Sequence, residues 1–342
     1  MKFIKKYLLR ATLLFLPPGI FINTVKGEGG STSYDFLNIP SSSYVFGLGS
    51  INVSSIRSDI DLAQQNPSLI GPENDMQLKL DYMHYYGDSN FAGVRFAKSA
   101  GSHGAWGAGI RYLNYGNFKG YEEDGSYSGD FTAQDIIFEG TYSHDITYRL
   151  RGGVNVKMIY SAYERYNAFA LAADLGLCYY DEERDLSVGF VLKNMGGQLK
   201  RFEERYDRLP FDIQLGITKG LGDKFSFSIT AWTLTRWRLP YYIHENGNET
   251  EEREAGFFRN LFRHLVFGAE YHFNERFYLN LGYNYKTQSD QSSYQRSFLS
   301  GFSIGTGIEV RAFSIGVGYA LPHKGASTLL LNLGMDISEL LM

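Results

Sequence analysis

The sequence has one cysteine, Cys178, which excludes a disulfide within the chain and, because it lies far from the N-terminus, a lipid-modified anchor there. A small structural side chain is the expected role of such a thiol. Beyond the N-terminal leader no stretch approaches the ~18 uninterrupted apolar residues of a membrane-crossing helix. Charge of one sign is missing as well: 33 Lys and Arg against 37 Asp and Glu leave a formal net charge of -4. That balance fits neither a basic nucleic-acid binder nor an acidic tail. There is no Gly-x-Ser-x-Gly elbow and no phosphate loop, and the pair Gly305 and Gly307 sits in a strand pattern, where glycine eases close packing. His264, Glu270 and His272 share one face, but the two histidines lie ~27 Å apart along a strand, too far to share a metal ion, and are read as mouth residues. No enzyme, metal or cofactor is expected.

Glycine is abundant, with 38 residues, and so are aromatic side chains, at 16%. A mean hydropathy of -0.25 would be low for a helical membrane protein. It suits a barrel, where only alternate residues meet lipid. The first residues carry Lys2, Lys5, Lys6 and Arg10, followed by apolar residues from Ala11 to Ile22 interrupted by Pro17 and Pro18. This has the form of a secretory signal peptide, with Val25 and Gly27 placing the expected cut after Gly27.

The stretch from Leu265 shows what repeats. Leu265, Phe267, Ala269, Tyr271 and Phe273 alternate with residues that include Gly268, Glu270 and His272. After the turn Asn274 to Arg276 the pattern resumes with Phe277, Leu279, Leu281, Tyr283 and Tyr285. A period of two puts the apolar set on one face of a hairpin. The same alternation recurs from Met76 to Ile337 and yields fourteen strands, an even number as a single-chain bacterial barrel requires. Connections after even-numbered strands are short, such as 145–147, 274–276 and 311–312. The long ones (116–134, 194–210, 236–262 and 287–297) all follow odd-numbered strands. Barrels have short periplasmic turns and longer external loops, whereas a soluble sandwich has no reason to sort its loops by parity. The expected fold is therefore all-β: a fourteen-stranded antiparallel transmembrane β-barrel over residues 76–342, in the outer membrane, with both chain ends periplasmic. A signal peptide, residues 1–27, and a non-alternating segment, residues 28–75, precede it.

By the same alternation Lys79, Asp81, Arg95, Arg111, Glu139, Arg149, Arg151, Lys157, Asp174, Lys193, Asp212, Glu270, Glu309 and Arg311 point inward. A barrel this wide is not filled by its own side chains. Either it holds a water channel, or segment 28–75 enters it as a plug. Two long loops carry the candidates for partner contact: Arg201, Phe202 and Tyr206 in the first, and Trp237, Tyr241, Tyr242, Phe257 and Phe258 in the second. Rings among charges on a protruding loop read as a protein interface. The same rings also fit an aromatic girdle at the membrane surface.

Several motifs carry a resemblance: Tyr34-Asp35-Phe36-Leu37-Asn38-Ile39-Pro40 with Gly47-Leu48-Gly49-Ser50, the pair Asn66-Pro67, Trp106-Gly107-Ala108-Gly109-Ile110, Leu192-Lys193-Asn194, Leu209-Pro210-Phe211-Asp212 and Arg236-Trp237. Together they resemble the PorQ family of the Bacteroidetes type IX secretion system. The resemblance implies a barrel related to the FadL type, with an N-terminal segment associated with the lumen. It also implies an attachment complex with a PorZ-like surface protein, a PorU-like sortase and a PorV-like cargo carrier, next to lipopolysaccharide, in which the barrel anchors the surface partner. The alternative function is a FadL-like transporter of hydrophobic ligands, which needs an apolar inner path and a movable plug. The final residues, Ser338 to Met342, depart from the terminal aromatic usual in such barrels.

Overall fold

The computed structural model describes residues 32–85, 87–121, 125–202, 206–239, 241–245, 249–253, 256–290, 299–323 and 326–341. The expected signal peptide, residues 1–27, lies outside the described residues.

Fourteen strands close into one antiparallel barrel. In chain order they begin with β1 (Gln77–His84), β2 (Asn90–Ser99), β3 (Gly104–Tyr121), β4 (Tyr127–Thr147), β5 (Leu150–Tyr163) and β6 (Tyr166–Asp181). Then come β7 (Leu186–Lys200), β8 (Asp212–Leu221) and β9 (Phe225–Ala231). A separate hairpin of β10 (Tyr241–Glu245) and β11 (Glu249–Arg253) interrupts the series. The barrel resumes with β12 (Leu265–Asn274), β13 (Phe277–Asn284), β14 (Phe302–Val310), β15 (Phe313–His323) and β16 (Ala326–Asp336). β1 closes on β16, from Gln77 opposite Asp336 to His84 opposite Leu329. Closure leaves no sheet edge, which is the condition for strands to sit in hydrocarbon.

Alternation decides the faces. Leu80, Ile110, Phe138, Met158, Leu177, Ile217, Phe227 and Leu333 point outward and are exposed, as lipid-facing residues are. The tight turn between β12 and β13 forms because the Asn274 side chain accepts from the backbone N–H of Arg276 and of Phe277, both at 2.9 Å. Two connections differ from expectation. The stretch 116–134 is largely strand, since β3 and β4 stay paired to Tyr121 opposite Tyr127. A bulge between Asn114 and Asn117, with Gly116 at φ 90°, breaks the period there and hides the continuation from a reading of alternation. β7 likewise runs on to Lys200, past a bulge opposite Asp174 where Asn194 has φ 56°.

Inside the barrel lies the segment 32–75, built of short 3₁₀ turns and one helix, α1 (Ser43–Gly47). Ser42 caps α1 by accepting from the Val45 N–H at 3.4 Å. Two short helices, α2 (Phe257–Arg263) and α3 (Tyr285–Asp290), stand at the end of the long connections, and α4 (Ile337–Leu341) follows β16. Both ends of the strand series lie on the short-turn side, as the parity of the connections requires, where the Ile337 N–H donates to the Met76 carbonyl at 3.0 Å. Ahead of β1, the described chain begins at the long-loop end, where the Ser33 N–H donates to Asp207 at 2.8 Å. It then threads the lumen and reaches the short-turn end at Asp75, whose carboxylate accepts from the Ser99 N–H at 2.9 Å.

Candidate functional site

The inner segment is a plug, held by polar groups that the strand pattern points inward. Arg95 pairs with Glu139 across the wall and lies 3.6 Å from Asp61 of the plug, all three nearly inaccessible. Lys79 reaches Asp59 of the plug at 2.6 Å. Arg57 of the plug binds Glu270 at 3.1 Å, pairs with Glu309 and lies 3.9 Å from the centre of the Tyr278 ring. Arg111 donates to the Ile39 carbonyl at 2.8 Å, and Asn332 donates to the Ser41 carbonyl while accepting from the Ser43 N–H. Such groups lose their water on burial, so each pair is stable only while both partners are present.

Glycine supplies the other half of the fit. A Cβ on Gly47 of α1 would stand 2.5 Å from the Gly305 Cα of β14, so the two backbones touch. On the opposite wall a Cβ on Gly176 would overlap the side chain of Asn66, which donates to the Leu177 carbonyl at 3.3 Å. The glycine content noted above is in part a bare inner surface against which the plug rests.

Burial raises Asp61 to about 7 against the opposing pull of Lys79, with the carboxylates of Asp59 and Asp81 adding to the rise. The proton it binds on folding gives stability that is complete below ~4 and lost as pH rises through about 7. Asp59 has the opposite sign: although burial opposes it, Lys79 and hydrogen bonds hold it below the ordinary value, so its contribution is lost only in acid. Plug release, followed by limited proteolysis, is expected to be slower at pH 5 than at pH 8, and Asp61→Asn should flatten that difference. An unchanged pH dependence in the variant would refute the assignment.

The inward face is not uniformly polar, as the alternation alone had implied. Toward the long-loop end Met83, Phe91, Leu113, Ile137, Ile159, Ala170 and Leu330 face inward and pack with Tyr34, Phe36, Leu37 and Phe46 of the plug. An apolar tier thus sits above the charged one. In it lies a cavity of about 370 Å³ whose lining is mixed: Ile39, Pro40, Phe46, Ile51, Met83, Tyr85, Trp232, Phe302 and Ala320 give it its apolar surface, and Asp35, Asn38, Asn284, Thr287, Asp290, Ser303 and Thr328 are among its polar groups. A second, polar cavity of about 180 Å³ lies at the short-turn end, lined by Ser43, Arg57, Asp59, Lys79, Glu309 and Asn332 among others. α1 contributes to both, Phe46 to the first and Ser43 to the second. One helix therefore borders both spaces.

The candidates for partner contact occupy different settings. Phe202 stacks on Tyr163 with ring centres 4.9 Å apart, and Arg201 lies over the Tyr206 ring, so this loop folds back on the wall. Trp237, Phe257 and Phe258 are exposed on and beside α2. Tyr241 and Tyr242 lie in β10, opposite Arg253 and Glu252. The two loops meet where Thr235 donates to the Phe211 carbonyl at 3.3 Å. His264, expected at a mouth, is buried under α2 and stacked on Trp237, while His272 at the far end of β12 pairs with Glu270 at 2.9 Å. Cys178 is buried on the inner side. The cavity residues escaped the sequence reading because they come together from the plug, from connections and from separate strands, with Met83, Phe302 and Ala320 as the apolar strand positions. Adjacent inward apolar positions near one end of successive strands were the available signal.

No family model matches the chain, and no curated protein matches it either. Solved structures do. The toluene transporter TodX of Pseudomonas putida is 12% identical, with a TM-score of 0.55 over 86% of this chain and 97% of that one. The toluene transporter TbuX of Ralstonia pickettii, also 12% identical, gives 0.54 over 88% and 98%. A FadL homologue of Pseudomonas aeruginosa, 11% identical, gives 0.51 over 86% and 98%. The chain has the fold of the FadL-type outer-membrane barrels, a closed ring of fourteen antiparallel strands around an N-terminal plug.

Proposed function

We propose that the barrel takes a small hydrophobic ligand from its long-loop end into the apolar tier, and that the seating of α1 governs passage toward the other end. The observation that carries this reading is the pair of cavities that α1 borders, through Phe46 toward the long-loop end and Ser43 toward the short-turn end. At about 370 Å³ the upper cavity falls in the range of small-molecule sites, ~300–1,000 Å³. The larger part of its lining surface is apolar, which favours a mainly apolar ligand, with Asp35 and Asp290 on its polar side. The fold shared with proteins described as toluene transporters supports the same class.

Toluene is therefore the first probe. Detergent-purified barrel should retain it, and Ala320→Trp, which fills the cavity from an inward position, should lower retention ~tenfold while the barrel still migrates as folded. Equal retention by the variant, or none by the unaltered chain, would sink this reading.

A second reading, the surface anchor implied by the PorQ resemblance, is favoured by a different feature. β3 and β4 outrun their neighbours as a two-stranded ribbon. β2 pairs β3 only as far as Asn114, and β5 pairs β4 only from Ala133. The ribbon carries stacked Phe118 and Phe131, 5.4 Å apart, and the exposed Tyr121 and Tyr127. Free strand edges with rings offer a partner both backbone and side-chain contacts. In this reading the partner is a PorZ-like surface protein, with PorU-like and PorV-like components beside it. Removing residues 117–132 should then abolish co-purification of the partner and leave toluene retention unchanged. A partner that stays bound to the shortened barrel would exclude the ribbon.

A further inference from the structure

The wall is not equally tall all round. β3 to β7 run 14 to 21 residues. On the other side β9 has 7 and β13 has 8, flanking β12 with 10, and β1 also has 8. A tilted strand needs ~9–11 residues to cross the hydrocarbon, so β9 and β13 fall a residue or more under that span and β12 just meets it.

What continues the surface there is aromatic. The Phe262 ring of α2 lies 6.3 Å from that of Phe267, which is on the outward face of β12. Phe257 and Phe258, 5.5 Å apart, are 63% and 74% exposed. Trp237, 5.8 Å from Phe257, is 45% exposed. The reverse face of α2 is polar and buried. Arg263 donates to the Leu239 carbonyl and to Ser289, both at 3.0 Å, and Asn260 donates to the Trp237 carbonyl. His264 stacks on Trp237 at 5.1 Å. Turning the rings inward would break these buried hydrogen bonds, so the aromatic face is fixed outward.

We propose that α2 and Trp237 form a collar seated in the acyl chains of the outer leaflet, completing the lipid-facing surface where β9 and β13 fall short. The occupant of this face is lipid, because the rings continue the outward surface of β12, which already meets lipid, and because its two neighbours β9 and β13 are shorter than the span. The inference rests on the membrane-crossing fold and is independent of what the lumen carries. It reassigns Trp237, Phe257 and Phe258 from a protein partner to the membrane.

The chain has three tryptophans, so Trp106→Phe with Trp232→Phe leaves Trp237 as the sole reporter. Reconstituted in vesicles of phosphatidylcholine brominated along the acyl chain, this variant should lose most of its emission relative to plain phosphatidylcholine, and aqueous iodide should have little effect. Should the double variant fail to fold, Trp237→Phe in the otherwise unaltered chain removes the same signal by difference: the lipid-quenched part of the emission should fall. Emission quenched by iodide and indifferent to brominated lipid would overturn the collar and return these rings to a protein partner.

Discussion

Arg95→Leu is expected to turn a sealed barrel into a conducting one. The substitution takes from Glu139 the cation it pairs with and leaves Asp61 with Lys79 alone, at 4.0 Å, at a depth where neither carboxyl reaches bulk water. Breaking a buried pair from one side costs ~3–5 kcal/mol. The fourteen-strand ladder does not depend on that arginine, whereas the seating of the plug does, so the loss should fall on the plug. Two readouts follow: single-channel conductance in planar bilayers, absent before and present after, and rapid proteolysis within residues 32–75 while the barrel keeps its folded mobility on gels. Adding Glu139→Gln and Asp61→Asn removes the orphaned charge and should restore much of the seal. A closed, protease-resistant plug in the single variant would show that these charges do not hold it.

Gly47→Val tests the same element without touching a charge. The new Cβ would stand 2.5 Å from backbone of β14, a contact no rotamer change relieves. Because the strand is fixed by its ladder, α1 has to move. The upper and lower cavities, both bordered by α1, should then join, and toluene retention should fall as conductance appears. Gly305→Val, made from the wall side, should give the same result. Normal toluene retention and no conductance in both variants would mean that α1 is not the barrier, and the proposed passage would have to be abandoned. Arg95→Leu and Gly47→Val together separate the two forces on the plug, since only the first should be rescued by neutralising carboxylates.

Much of the fold was legible before any coordinates. The hairpin from Leu265 to Asn284 announces its own geometry, because in lipid each outward position must be apolar and each backbone group must find a partner in the next strand. The strand count and the parity of the loops follow from that local rule. Bulges defeat it: at Gly116 and Asn194 the period slips, and strand was read as loop. The candidate site was harder. Arg95 and Glu139 were read as inward, but nothing in the pattern says that Asp61 completes the set. Phe46, Met83 and Ala320 gave no chemical signal at all.

Alternation and turn length, being properties of neighbouring residues, already make this chain a ring of membrane-crossing strands. That the lumen is plugged, that apolar groups gather toward its long-loop end, and that one short helix borders two cavities came from the folded chain alone. Those features depend on residues such as Ser43 and Asn332, 289 positions apart, meeting across the barrel. Such meetings are set by closure of the ring and by the bare glycine backbone that lets the plug approach, and neither has a period along the chain.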